Sequence, residues 1–127
     1  MAVQFKMVAK QNNLVSPPEV KYYPCAVHQG ETNLDMLASF IADSSTMSRA
    51  DCYGVIMALT EAISYALKQG QIVRIDNLGT FQLTLQGTAA DDPEALGKST
   101  IKDTRIVYRP AASLKRDLKT ITFKRMR

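Results

Sequence analysis

Hydrophobic and polar positions alternate with a period of two at the start of the chain. Val3, Phe5 and Met7 stand against Gln4 and Lys6, the pattern of a half-buried strand. Gln11-Asn12-Asn13 and Ser16-Pro17-Pro18 are turn and breaker chemistry, and the reading ends the strand there. A second extended segment, from Val20 to Val27, holds Val20, Tyr22, Tyr23 and Val27. Pro24 lacks an N–H for a central ladder, so this strand is expected at a sheet edge or a bulge. Gln29-Gly30-Glu31 joins this small β element to the remainder of the chain.

The period then becomes helical. Thr32 and Asp35 have capping-box spacing, and Leu34, Leu37, Ala38 and Ile41 fall on one face of a helix predicted to run to about Ser44. Ser48 and Asp51 repeat the device, with Met47 placed to staple onto Cys52. Cys52, Val55, Ile56, Leu59, Ile63, Ala66 and Leu67 continue a second, longer helix until Gly70 offers a left-handed cap. Tyr53, Met57 and Ala58 flank that stripe, so the apolar surface is wider than one short partner helix covers. A second copy of the chain would cover it. A monomer in which the sheet supplies the remaining contacts is the alternative.

Beyond Gly70 the period returns to two. Val73 and Ile75 alternate with Arg74 and Asp76, Asn77-Leu78-Gly79-Thr80 turns the chain, and Phe81, Leu83 and Leu85 alternate with Gln82, Thr84 and Gln86. Residues 87 to 98 read as a polar loop or hairpin tip. Ser99 to Tyr108 reads as a strand stopped by Arg109-Pro110, Leu114 and Leu118 mark a short helix over 111 to 119, and residues 120 to 124 alternate again as a final strand. The first and last strands have no partner in the central fold, and pairing with each other or across subunits would satisfy both edges.

Charge sharpens this picture. The chain of 127 residues has a formal net charge of +4. Residues 1 to 97 hold six Lys/Arg against ten Asp/Glu, whereas residues 98 to 127 hold ten against two. A cationic last quarter attracts polyanions, nucleic acid first and an anionic membrane surface second; a solvated basic tail is the plain alternative. A single-domain length with average apolar and charged fractions disfavours disorder. No run reaches the roughly 18 apolar residues of a membrane helix, and Met1 to Lys6 lacks a secretion signal's apolar run, so a cytosolic protein is expected. Cys25 and Cys52 are too few for a disulfide framework and are expected as reduced thiols. Cys25 and His28 alone do not complete the about four ligands of a closed zinc site, so no metal is expected. No nucleophile motif, histidine–carboxylate pair or phosphate-cradling glycine loop is visible, and neither catalysis nor a cofactor nor a small-molecule substrate is expected.

Helix, short turn, longer helix, three strands with a long loop between the second and third, then a short helix: this order resembles the HU / integration host factor family of bacterial histone-like proteins. The resemblance covers about residues 33 to 119. It rests on Met47-Ser48-Arg49-Ala50-Asp51, on Leu78-Gly79-Thr80-Phe81, and on Val107-Tyr108-Arg109-Pro110 with Leu114-Lys115. With β segments at both ends, the layout is similar to extended HU-like proteins of the Bacteroides type. The resemblance implies an α+β fold with the helix pair packed under a three-stranded antiparallel sheet, a β-arm, a short C-terminal helix and extra strands at both termini. It divides the chain into a β extension over 1–30, an HU-like domain over 31–119 and a strand with basic tail over 120–127.

It further implies an intertwined homodimer that binds double-stranded DNA, with Val55, Ile56, Leu59, Ile63, Leu78, Phe81 and Tyr108 in the shared core. Phosphate contacts are expected from Arg74, Lys98, Lys102, Arg105, Arg109, Lys115, Arg116 and Lys119. Pro93 matches the arm-tip wedge that enters the minor groove and bends the duplex. Here Asp91 and Asp92 precede it and Glu94 comes after it, where the family has basic and polar residues, and these carboxylates repel phosphates. The expected function is sequence-tolerant DNA binding at the nucleoid. The alternative is a structural or protein-interaction module whose acidic tip keeps it from binding DNA strongly.

Overall fold

The computed structural model describes residues 2–89, 91 and 101–126. The elements run β1 (Ala2–Asn12), β2 (Glu19–Ala26), α1 (Leu34–Asp43), α2 (Arg49–Lys68), β3 (Val73–Ile75), β4 (Gly79–Gly87), β5 (Ile101–Pro110), α3 (Ala112–Leu118) and β6 (Thr122–Arg125). They fall into two compact units. One joins residues 1–33 to 118–127, and the other comprises 34–117.

In the terminal unit β1 pairs with β2 antiparallel and with β6 parallel, giving the order β2-β1-β6. The two ends of the chain therefore satisfy each other's backbone groups within one chain, and Pro24 sits on the edge strand where its missing donor is tolerated. The strand runs through Gln11 and Asn12, past the point where turn-forming residues suggested its end, because β2 pairs along its whole length. Asn12 then turns the chain, its Oδ1 accepting from the Leu14 N–H at 3.0 Å. Val3, Phe5, Met7, Pro24, Cys25, Ala26 and Phe123 line an apolar concavity of about 520 Å³ in this unit.

In the central unit Ser48 caps α2, its Oγ accepting from the Asp51 N–H at 3.1 Å. Gly70 takes the left-handed conformation (φ 78°) just past the other end. The Gly70 N–H donates to the Leu67 carbonyl and the Gln71 N–H to that of Ala66, the paired bonds of a Schellman motif. The start of α1 differs from expectation. The helix begins at Leu34, so Asn33 rather than Thr32 precedes it, and Asp35 is paired with Arg49 at the start of α2. This ion pair ties together the N-terminal ends of the two helices.

The sheet β3-β4-β5 is antiparallel throughout, and α2 touches β3 and β4. Strand β5 continues through Arg109 and Pro110 instead of stopping before them. Pro110 pairs with Gly79 at the end of an edge strand, where no further donor is required. Gly79 is buried with φ 146°, and a Cβ there would lie 2.2 Å from the Arg109 carbonyl oxygen. Only glycine fits.

Among the described residues the buried apolar side chains are Ala38, Cys52 and Leu67. Phe40, Val55 and Tyr65 stand 75%, 57% and 68% exposed on the helices. Leu85 and Ile106 are 62% and 63% exposed on the apolar face of the sheet. Cys25 and Cys52 are free thiols. Among the described residues no helix is long and apolar enough to cross a membrane.

Candidate nucleic-acid interface

Strand register decides which side chains share a face, because partners in an antiparallel ladder project to the same side. Arg74 pairs with Thr80, and Thr80 with Arg109, so two arginines flank a threonine in one row across β3, β4 and β5. Further along, Gln82 pairs with Val107, Thr84 with Arg105, and Gln86 with Asp103 on the same face. Arg105 is held by Gln86. With the amide turned so that its oxygen faces the guanidinium, that oxygen accepts from Nε at 2.8 Å and from one terminal nitrogen at 3.0 Å. The opposite face carries Val73, Phe81, Leu83, Leu85, Ile106 and Tyr108.

A groove of about 640 Å³ opens where the sheet meets α3. Arg74, Thr80 and Arg109 line it from the strands, Arg116 from α3, and Asp76 and Asn77 from the β3–β4 turn. The Ser113 hydroxyl donates to Asn77 Oδ1 at 3.0 Å, fixing the first turn of α3 against that turn. The Ala111 N–H donates to the Leu78 carbonyl, which also accepts from the Tyr108 hydroxyl at 2.8 Å. Tyr108 stacks obliquely on Phe81, with ring centroids 5.1 Å apart. These contacts set the α3 end of the sheet, and with it the position of Arg109.

The expected contact residues separate into groups. Arg74, Arg109 and Arg116 meet in the groove, and Arg105 extends their face along β5. Lys102 is the extra residue of a β-bulge, where the register shifts between Gln86 and Gly87, so strict alternation does not assign it a face. Lys115 is exposed in the last turn of α3, and Lys119 comes after that helix within the terminal unit. Lys98 and Pro93, the expected arm-tip wedge, lie outside the described residues, and Asp91 is exposed. Of the expected shared-core residues, Ile56, Ile63 and Phe81 are half-buried, while Val55, Leu59, Leu78 and Tyr108 are exposed in the single chain. The ion pairs Arg49–Asp35 and Lys21–Glu19 use none of the contact residues expected from the sequence. Thr80, Thr84 and Gln86 were not singled out from sequence as part of this face; their period-two spacing opposite arginines is the signal that carries them.

Residues 1–125 match the HU-HIG family, described as an HU domain fused to wHTH, Ig, or Glycine-rich motif. The chain belongs to this family. The HU-HIG chain is similar in fold to a protein from Bacteroides vulgatus described as a candidate bacterial DNA-binding protein, with a TM-score of 0.72 and 13% identity. That match covers 99% of this chain and 50% of the other, so the chain spans half the length of that neighbour. It is also similar to HU from Anabaena in a cocrystal structure with DNA, at TM-score 0.50 and 18% identity over 70% of this chain and 98% of that one. At such identities the likeness is one of fold. No curated protein matches the chain.

Proposed function

We propose that this HU-HIG protein binds double-stranded DNA as a homodimer, with little sequence preference, in the bacterial cytoplasm at the nucleoid, and performs no catalysis. The observation that carries this reading is the face bearing Arg74, Arg105 and Arg109, continued by Arg116 in the groove. Guanidinium groups offer planar forks of donors suited to phosphate oxygens. Phosphate contacts position a protein without reading bases, and sequence tolerance is the consequence. The DNA in the Anabaena HU cocrystal supports the choice of polyanion.

The homodimer is supported by what the single chain leaves uncovered. A chain of 127 residues can bury a substantial core, yet Val55, Leu59, Leu85, Ile106 and Tyr108 remain exposed. A second copy applied to these faces would remove them from water. We assign affinity to the sheet and groove rather than to the arm tip, since Asp91, Asp92 and Glu94 around Pro93 repel phosphates. Bending by Pro93 is therefore a secondary contribution in this reading.

One observation favours the other reading, an HU-fold interaction module. The central unit, residues 34–117, holds nine Lys/Arg against ten Asp/Glu, a net charge of −1. Gel-shift competition decides between them. The DNA reading expects two unrelated duplexes to compete within a fewfold of each other, and R105A/R109A to bind at least about tenfold more weakly. Absence of a shift at low salt supports the interaction module, and strong preference for one duplex removes sequence tolerance.

A further inference from the structure

The terminal unit holds seven Lys/Arg against two Glu, a net charge of +5, whereas the central unit is slightly acidic. The register gathers much of that charge on one face. Lys6 pairs with Cys25, Val8 with Tyr23, Lys10 with Lys21, and Gln4 with both Lys124 and the Val27 backbone. Lys6, Lys10, Lys21 and Lys124 therefore project from the side of the sheet opposite Val3, Phe5, Met7 and Phe123, and all four are exposed. Glu19 is the one carboxylate of this face among the described residues. It stands at the far end against Asn12, 4.0 Å from Lys21.

A face serving solubility alone mixes both signs. Here one sign prevails, and Lys10 stands directly opposite Lys21, an arrangement that destabilises a bare sheet and that a bound polyanion relieves. From the Lys124 row to the Lys10 row the strip runs about 20 Å at ~3.4 Å per residue. That is about six phosphates of one DNA strand at ~3.4 Å of helix axis each. Tyr23 is the aromatic of this face, with Lys10 Nζ 5.5 Å from its ring centroid. One tyrosine among four lysines offers more charge than stacking surface, which fits a duplex backbone better than single-stranded nucleic acid.

We infer that the cationic face formed by Lys6, Lys10, Lys21 and Lys124 is a second duplex-DNA contact surface, independent of the arginine face of the central unit. The inference rests on the DNA reading above and extends it: the added β unit supplies phosphate contacts beyond those of the arginine face in the slightly acidic central unit. The test is binding of a labelled duplex by the full chain across a salt series, comparing wild type, K6Q/K10Q/K21Q/K124Q, the four Lys→Arg changes, and R105A/R109A. The glutamine variant is expected to keep the wild-type melting curve and to flatten the log–log salt slope by about 3 to 4, at ~0.9 per lost contact. The arginine variant is expected to restore it. Wild-type slope and affinity in the glutamine variant overturn this inference while leaving the DNA reading intact. Loss in the glutamine variant but none in R105A/R109A retains this face and overturns the arginine face. No binding by wild type overturns both, and preferential displacement by a single strand overturns the choice of duplex.

Discussion

Gly79 is fixed by the strand that passes over it. The β5 backbone leaves no room for a side chain, and the φ of 146° excludes one on conformational grounds as well. Gly79→Ala is expected to destabilise the fold by at least about 2 kcal/mol, read as a lower midpoint in chemical denaturation. Ser48→Ala removes the α2 cap and is expected to lower stability by about 1 kcal/mol in the same measurement. Both positions were legible in the sequence, because each feature is local: a cap needs a hydroxyl before a helix, and a tight turn needs a residue without Cβ. Asp35 was not. Its capping-box spacing pointed to Thr32, but Arg49, fourteen positions away in sequence, takes its carboxylate. A local pattern cannot register a competitor delivered by tertiary structure.

At the scale of elements, the order of strands and helices can be read from periodicity, and the pairing of the two chain ends from their unpaired edges. Strand lengths cannot. The extension of β1 through Asn12 and of β5 through Pro110 depends on neighbouring strands that override turn-forming residues. The bulge at Lys102 likewise arises only when two strands are set side by side. Strand β6 is an edge strand held by β1 alone in its sheet. Deleting residues 1–30 is expected to lower the melting temperature and to make residues 118–127 accessible to protease, measured by calorimetry and limited proteolysis. An unchanged melt with a protected C-terminus would show that β6 is secured elsewhere.

At the scale of the whole molecule, charge and apolar exposure act together. Counting charges along the chain located the cations in the last quarter. Folding divides that quarter between two units and joins its end to lysines from an N-terminal stretch that looked ordinary by linear count. The arginine face was more legible, since Arg74, Arg105 and Arg109 already stood on polar positions of alternating strands. In the proposed homodimer a second copy covers the exposed apolar faces. Sedimentation velocity is expected to give twice the chain mass, and V55D/L59D is expected to shift the protein toward one chain or to unfold it. A monodisperse single chain in the wild type would contradict the dimer.

The central claim is that this fold presents cationic surfaces to the phosphates of a duplex. Fluorescence anisotropy of the intact chain with a labelled duplex, repeated from low to near-physiological salt, tests it most directly. The account predicts saturable binding whose log affinity falls linearly with log salt at a slope of several, ~0.9 per phosphate contact. No binding at low salt, or binding indifferent to salt, would contradict it.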